Sequence, residues 1–455
     1  MAPFWKNDRV LTIALDAFIG VLLLCIFLQC GVFLNRYADT RRGDASIPFD
    51  MQMLSATDQD QKRALDADLL LPSVIAVSEN GNTQAILNSA VVMRDLYAAL
   101  TEPLSACFAT EPITWDADRW ADAILSPDVI YIRYHAPLPY QILDAFLKAS
   151  VGSEDYLRDP RAVSVSELCL LFENNEVTAV VRGDTGVYAF KAPSELTVSE
   201  YASYARDYQE FFYLAVLSPE KNEDTLTLEA RIASREIQVQ SGAAALIRDS
   251  EADLLSWLRR FRFNPDKLNH HTEVDGTEVY VETHGVLFFG ADSIRYTAAE
   301  GGGVHLREFC AVSPKADIYT YLRAASAWIS EVSSMDIRYA GGDAMPRLRS
   351  VYSDGEDVTL AFGLYADNLP VLYEDEAVEI SMTFRGTMLT EMRWQTILVI
   401  KQIDTRTSFF EAWSRTALAS PRVRLAYRTN GTSDTYAAEW IAYGAAKEAL
   451  WAGTN

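Results

Sequence analysis

An apolar segment near the start of the chain constrains the fold more than any other feature. Residues 10–34 are 25 consecutive residues with a single charge, Asp16. As an α-helix the segment is about 37 Å long, enough to cross a hydrocarbon core of about 30 Å with some tilt. Cleaved signal peptides usually have an apolar region of only about 7–15 residues. The sequence therefore favours a retained transmembrane helix at 10–34 after a short tail at 1–9.

The charges beside this segment leave its orientation open. Lys6 and Arg9 precede it, whereas Arg36, Arg41 and Arg42 follow it. Because there is no second hydrophobic span, the remaining part of the chain is expected to lie on one side of the membrane. Long segments are translocated largely regardless of their charge. An extracytoplasmic C-terminal region is therefore allowed, and the charges alone do not decide the orientation of the single span.

Four residues of the apolar segment are predicted to share one helical face. Asp16, Gly20, Phe27 and Gly31 are separated by 4, 7 and 4 positions. Glycines allow close approach of another helix, and a carboxyl group within a membrane is costly without a partner. This pattern predicts a helix–helix contact in the membrane. The alternative is that glycine is simply common in membrane helices and that Asp16 reaches water at the entry side.

The acidic composition excludes nucleic acid as a partner. Lys and Arg number 40 and Asp and Glu number 63, which gives a formal net charge of −23. A phosphate backbone favours clustered Lys and Arg, and the sequence contains no basic stripe and no Cys/His finger spacing.

Three cysteines lie outside the apolar segment, and they form no recognisable framework. Cys107, Cys169 and Cys310 are odd in number and widely spaced, so neither a disulfide scaffold nor a zinc site is indicated. Buried thiols are the simplest interpretation, and a single disulfide is the alternative.

After a polar linker at 35–70, short β-rich runs alternate with a few helices. Asn80-Gly81 and Asp275-Gly276 are strong hairpin signals, because these residues accept positive φ. Helices are predicted at 91–100, 115–125, 139–149, 250–261, 316–332 and 408–418. Strands are predicted at 128–135, 211–217, 285–290, 293–298, 303–309, 347–353, 358–366, 377–386 and 387–397, with a meander at 167–190 and a hairpin at 421–443.

Short hairpins rather than helical crossovers connect most of these strands, which favours α+β over a doubly wound sheet. The predicted fold is one N-terminal transmembrane helix followed by three mainly antiparallel α+β domains. The expected domain ranges are 71–220, 221–312 and 313–455.

The sequence lacks the motifs of common enzymes. There is no H-E-x-x-H helix, G-x-S-x-G elbow, S-x-x-K motif or P-loop. The glycines at 301–303 lie between two predicted strands, so a turn is favoured over a phosphate cradle. Adjacent residues of a strand point to opposite faces, so His270 and His271 cannot share one metal ion without a bulge. No catalytic residue, cofactor or metal is therefore predicted.

Several segments resemble one known family. The segments are RFRFNP at 260–265, then EVDGTEVYVE, GVLFF, SIRYTA and GGGVHL, and finally LAYRTNG and AEWIAY near the end of the chain. Together with the N-terminal anchor and three-part region, they resemble the YycH family and its relative YycI. The resemblance is most specific over 250–310 and 420–443.

This resemblance implies an anchored regulator of an essential cell-wall two-component system in low-GC Gram-positive bacteria. It also implies a single-pass protein of the cell membrane with a cytoplasmic tail at 1–9 and an extracytoplasmic C-terminal region. It implies a sensor histidine kinase as partner, and a paralogous anchored regulator as a second one. The alternative is a surface-anchored cell-wall hydrolase or ligand-binding protein whose site is dispersed along the chain. A deep pocket with converging histidines and carboxylates would favour the alternative.

Overall fold

Strands greatly outnumber helices in the computed structural model, as the alternating sequence pattern predicts. The structure describes residues 68–86, 90–116, 119–150, 164–183, 186–206, 213–216, 227–230, 233–240, 243–267, 269–310, 316–333, 345–366, 368–373, 376–377, 379–396, 398–408, 423–428 and 435–442. All of them belong to one compact unit, Gln59–Asn455. Nearly all strand pairs within it are antiparallel, which confirms the α+β class.

The first sheet has seven strands, in the order β2-β1-β4-β5-β6-β7-β3. They are β1 Val74–Glu79, β2 Asn82–Ile86, β3 Ile113–Trp115, β4 Val129–Pro139, β5 Ser164–Glu173, β6 Glu176–Gly183 and β7 Gly186–Pro193. The predicted hairpin between β1 and β2 is confirmed. Its turn places Asn80 at φ 51° and Gly81 at φ 79°, a backbone that Asn and Gly adopt at low cost.

Among the described residues, four helices accompany this sheet, and their apolar side chains form its core. They are α1 Ala90–Phe108, α2 Trp120–Ile124, α3 Tyr140–Ser150 and α4 Val198–Arg206. Helix α1 contacts α3, α4, β6 and β7. Residues spaced three and four apart face the same side of a helix, and Met93, Leu96, Leu100 and Leu104 of α1 are all fully buried.

The second sheet has fifteen strands and runs through the rest of the described chain. Its main order is β11-β12-β13-β14-β21-β20-β17-β18-β23-β24-β10-β22, with β15 on β21, β16 on β17 and β19 on β18. Only β18 and β23 pair in parallel among these described strands. The bounds are β10 Ala233–Gln240, β11 Asn269–Thr272, β12 Glu278–Glu282, β13 Gly285–Phe289, β14 Ser293–Ala298, β15 Val304–His305, β16 Met345–Asp354, β17 Asp357–Ala366, β18 Leu369–Tyr373, β19 Glu376–Ala377, β20 Glu379–Arg385, β21 Met388–Gln395, β22 Leu398–Ser408, β23 Val423–Arg428 and β24 Thr435–Ala442. A separate pair joins β8 Tyr213–Val216 to β9 Thr227–Ala230.

Strands from both sides of the predicted boundary at 312/313 pair within this sheet. Ile294 of β14 lies opposite Trp394 of β21, and Ile237 of β10 lies opposite Gln402 of β22. The division into three domains stays a prediction, but the sheet itself is continuous across the predicted middle and C-terminal ranges.

Three helices belong to this part of the chain, and an aromatic core lies between them and the sheet. They are α5 Ala243–Asp249, α6 Glu251–Arg260 and α7 Ile318–Ser333. Ser250 caps α6 by accepting a hydrogen bond from the Asp253 backbone N–H at 3.5 Å. The 3, 4 and 7 spacing of Leu254, Trp257, Leu258 and Phe261 predicts one apolar face for α6. In the structure Trp257, Leu258 and Phe261 are buried, and Leu254 is partly buried against the same core.

Two of the predicted helices were wrong in their extent. Helix α1 continues past residue 100 to Phe108, with Pro103 inside it. Proline in a helix interior costs about 3 kcal/mol, and burial of Leu104 and Phe108 beyond it offsets that cost. The helix predicted at 115–125 is instead the end of β3 and the short α2, because β3 pairs with the outer edge of β7.

Other elements differ from prediction in smaller ways. The strand predicted at 303–309 is only β15, followed by a 3-10 turn at Leu306–Glu308. The helix predicted at 408–418 overlaps the end of β22 at Ser408, and its remaining residues lie outside the described ranges. Strands β9, β10, β18 and β22 were not predicted, although Glu236 to Gln240 of β10 alternates between polar and apolar residues.

The glycines at 301–303 form the predicted turn between β14 and β15. Gly303 has φ +133°, and a Cβ there would lie 2.8 Å from the Leu389 carbonyl oxygen. Gly301 has φ +70° with nothing within 4 Å of an added Cβ. At both positions a residue with a side chain would be strained by the positive φ. Of the two, only Gly303 also lacks room for a Cβ atom.

We expect Gly303→Ala to destabilise the protein more than Gly301→Ala does. Gly301→Ala, the matched control, should lower the free energy of unfolding by about 1–2 kcal/mol because of its positive φ. Gly303→Ala should lower it by about 1–3 kcal/mol more because of overpacking. The measurement is the free energy of unfolding from urea titration. Equal losses for the two variants would contradict the close approach to β21.

Candidate functional site

The histidines do not converge on a common centre. In the described residues, no group of three or more His, Cys, Asp or Glu side chains could hold a metal ion. His270 and His271 both lie on β11, where adjacent side chains are expected on opposite faces. The histidines with polar partners each have a different one: His135 Nε2 lies 3.3 Å from Asn368, His270 contacts Glu278, His284 Nε2 lies 2.6 Å from the Phe261 carbonyl, and His305 caps a 3-10 turn.

His305 lies beside a hydroxyl, yet its tautomer is unsuited to general-base catalysis. Its Nδ1 accepts the Arg307 backbone N–H at 3.1 Å, so in the neutral ring the proton resides on Nε2. Nε2 lies 3.4 Å from Thr387 Oγ1 and donates to it. Burial and the nearby Arg307 guanidinium lower the pKa of His305, which favours this neutral form. The pair therefore lacks a nitrogen that could remove the Thr387 proton.

The three predicted thiols are not joined by disulfides within the described part of the chain. Cys107 and Cys169 are fully buried in the first sheet and its helix layer, and Cys310 is half-buried. Burial raises the pKa of Cys107 to about 11 and raises that of Cys169 as well. Both buried cysteines are therefore protonated and poorly nucleophilic at neutral pH.

Buried polar groups join the first sheet to the second. Arg347 of β16 is 1% exposed, and its Nη1 donates to the Asp68 backbone carbonyl at 2.5 Å. The Asp68 carboxylate in turn accepts two hydrogen bonds from Arg94 of α1, at 2.6 and 3.0 Å. This bidentate pair fixes the segment that leads into β1.

Asn368, in the turn between β17 and β18, makes a second connection at this junction. It is buried at φ +65°, and its side-chain amide donates to the Pro72 carbonyl at 3.0 Å. Its Oδ1 faces His135 of β4, whose ring packs against Tyr365 at a centroid distance of 4.1 Å. These contacts satisfy buried polar groups across the junction, so we interpret the junction as structural.

The candidate binding site is a cleft on the solvent side of the second sheet, with a volume of about 320 Å³. Its floor includes Phe288 of β13, Arg295 of β14 and Arg393 of β21, which are neighbours across three adjacent strands. The Arg295 guanidinium carbon lies 4.1 Å from the Phe288 ring centroid, a cation–π contact. Arg295 and Arg393 lie directly opposite each other and are both exposed.

The rim of the cleft is the loop between β11 and β12, which carries Glu273 and Asp275. Backbone hydrogen bonds from Glu273 to Thr277 (2.8 Å) and from Gly276 to Glu273 (3.0 Å) close this loop. Hydrogen bonds from Thr277 lower the pKa of Asp275, so the rim is negatively charged at neutral pH. The cleft thus contains two cations on its floor and two anions on its rim.

The two floor arginines differ from several described arginines that pair with carboxylates. Arg385 forms a bidentate pair with Asp357, and Arg182 pairs with Glu167. Within the described ranges, neither Arg295 nor Arg393 forms an ion pair with a carboxylate. Like charges directly opposite on neighbouring strands are destabilising. The arrangement is therefore favourable for binding an external carboxylate.

Sequence analysis did not single out this cleft. Arg295 and Arg393 occupy outward positions in SIRYTA and EMRWQTI, so their exposure was predictable from alternation. Their juxtaposition depends on the pairing of β14 with β21, whose residues are about 100 positions apart, and neither segment signals the other.

The membrane-face residues Asp16, Gly20, Phe27 and Gly31 lie outside the described residues, as do the tail at 1–9 and most of the linker at 35–70. In the described ranges, no helix is long and apolar enough to span a membrane. The predicted transmembrane helix at 10–34 therefore stays a prediction.

Comparisons with known proteins give little beyond a coarse likeness of fold. No protein-family model matches the sequence, and no curated protein matches it. The structure is similar to the crystal structure of YycH from Bacillus subtilis, with a TM-score of 0.49 and 8% sequence identity. The alignment covers 80% of this chain and 95% of that chain. No function or residue role is transferred on this likeness.

Proposed function

We propose that this chain is a membrane-anchored, non-catalytic regulator whose extracytoplasmic region contacts a sensor histidine kinase. It modulates two-component signalling linked to cell-wall metabolism, with a paralogous anchored regulator as a second partner. The observation that carries the proposal is the apolar segment at 10–34 followed by a large region with the sequence pattern of the YycH family.

The segments at 260–305 that carry this resemblance form consecutive structural elements. RFRFNP ends α6, and the segments after it build the β11–β12 hairpin, β13 and β14. The Gly-rich segment forms the turn into β15. They provide core residues and turns, and they also carry Glu273, Asp275, Phe288 and Arg295 of the candidate cleft.

The chemistry of the described side chains supports a non-catalytic role. The lining of the candidate cleft consists of carboxylates, arginines, two hydroxyl side chains, one phenylalanine and one glycine, and it contains no histidine. His305, beside a threonine hydroxyl, has the wrong tautomer for a base. The buried thiols have raised pKa values.

The proposal is tested by purifying the full-length tagged chain from membranes of its own host and identifying the proteins that accompany it. We expect a sensor histidine kinase to co-purify with it. A variant whose residues 10–34 are replaced by an unrelated transmembrane helix is the control for the anchor. Absence of any histidine kinase from the wild-type preparation would contradict the proposal.

Within this proposal, the glycine face of the anchor is expected to contribute to kinase contact. Gly20→Leu combined with Gly31→Leu should reduce the co-purified kinase several-fold, because bulky side chains keep helix backbones apart. Asp16→Ala alone should have a smaller effect, since hydrogen bonds in membranes average about 0.6 kcal/mol.

The matched control is Ala14→Leu combined with Val32→Leu, which adds leucines on the other side of the predicted helix. Equal expression and an unchanged thermal melt would show that the extracytoplasmic region still folds. Unchanged kinase recovery in the glycine variant would mean that the helix is only a tether and that contact is made by the exterior.

A further inference from the structure

The charge arrangement in the cleft defines what it can bind. The floor presents Arg295 and Arg393 side by side, and the rim presents Glu273 and Asp275. A ligand with only negative charge would be attracted by the floor and repelled by the rim. A simple cation would be repelled by the floor and attracted by the rim. A molecule that carries one carboxylate and one ammonium group satisfies both sets of charges.

The size of the cleft restricts the ligand further. Its volume of about 320 Å³ is at the lower end of small-molecule sites, which measure about 300–1,000 Å³. That volume equals a sphere roughly 8 Å across, and two extended residues span about 7 Å. A free dipeptide can therefore place its carboxylate on the arginines while its ammonium group reaches the rim.

The site is preorganised for such a ligand. Arg295 is held over the Phe288 ring at 4.1 Å, which limits its side-chain freedom before binding. The rim loop is closed by its own backbone hydrogen bonds. Arg248, which lies outside the loop, donates a hydrogen bond of 3.3 Å to the Gly276 carbonyl. Little ordering is therefore required when a ligand enters.

We propose that this cleft is a binding site for a free zwitterionic dipeptide, with Arg295 and Arg393 holding its carboxylate and Glu273 and Asp275 holding its ammonium group. This inference goes beyond the proposed regulatory function and does not require the kinase. A regulator with such a site would respond to small peptides outside the cell.

The test uses the full-length chain in detergent and isothermal titration calorimetry with alanyl-alanine at millimolar concentrations. The L,L and D,D forms are titrated separately, because they distinguish fragments of proteins from fragments of cell-wall peptides. We expect one form to bind. Its N-acetyl derivative and its C-terminal amide each lack one charge, so we expect their affinities to be lower by about tenfold or more.

Variants assign the binding to the cleft. Arg295→Gln combined with Arg393→Gln should weaken binding about tenfold or more. Glu273→Gln should weaken binding of the free dipeptide. It should leave the weak binding of the N-acetyl derivative unchanged, because that derivative has no ammonium group. The matched control is Arg385→Gln, an exposed arginine of the same sheet that lies outside the cleft lining and pairs with Asp357.

The double arginine variant and Glu273→Gln remove no core contact, so their thermal melts should match that of the wild-type chain. Absence of binding by both dipeptide forms would overturn the proposal. Equal affinities for the dipeptide and its two blocked derivatives, or unchanged binding in the double arginine variant, would overturn it as well. None of these results depends on whether a kinase co-purifies.

Discussion

Replacing Trp257 with alanine is expected to lower the free energy of unfolding by about 3–5 kcal/mol. Trp257 of α6 is fully buried and stacks on Trp394 of β21 at a centroid distance of 5.4 Å. Its ring also meets Trp328 of α7 edge-on at 5.6 Å. Removing it opens a large cavity where two helices and the second sheet meet, and it removes several aromatic pairs at once.

The measurement for Trp257 is urea unfolding followed by circular dichroism. Trp257→Phe should cost less than Trp257→Ala, because a ring stacked on Trp394 is retained. The matched control is Tyr204→Ala, an aromatic residue of helix α4 that is 39% exposed and should change stability by less than about 0.5 kcal/mol. A loss below about 1 kcal/mol for Trp257→Ala would contradict the packing described.

Replacing Arg347 with alanine is expected to cost about 2–4 kcal/mol. The Asp68 carbonyl would lose its shorter hydrogen bond and keep the one from the Leu71 backbone N–H at 3.4 Å, and the missing side chain would leave a cavity. Arg347→Lys should give an intermediate loss, because an ammonium group lacks the planar fork of a guanidinium.

Hydrogen exchange near residues 68–73 distinguishes a local loss at the sheet junction from a general one. We expect faster exchange there in Arg347→Ala. The control is Arg323→Ala, an exposed arginine of α7, which should change stability by less than about 0.5 kcal/mol. Unaltered stability and exchange in Arg347→Ala would show that the junction does not depend on this side chain.

Local features of the fold were predictable from the sequence, because neighbouring residues determine them. The Asn80-Gly81 turn, the apolar face of α6 and the turn at Gly303 depend on backbone conformations and spacings within a few residues. The antiparallel class followed from the number of such hairpins.

Features that depend on distant parts of the chain were not predictable. Helix α1 continues through Pro103 because the first sheet buries its last turns. The continuous second sheet requires Ile294 to meet Trp394, a pairing that neither segment specifies alone. The cleft depends on the same pairing of β14 with β21. The exposure of Arg295 and Arg393 could each be predicted from the sequence, but their position side by side could not.

The central claim, that this chain regulates a kinase without catalysis of its own, is tested most directly in proteoliposomes. The co-purified kinase is reconstituted with the full-length chain or with the variant that carries an unrelated helix at 10–34, and kinase autophosphorylation is measured. We expect the wild-type chain to change the rate of autophosphorylation and the helix-replaced variant to change it less. An unchanged rate with the wild-type chain, while the chain itself hydrolyses cell-wall material, would contradict the account.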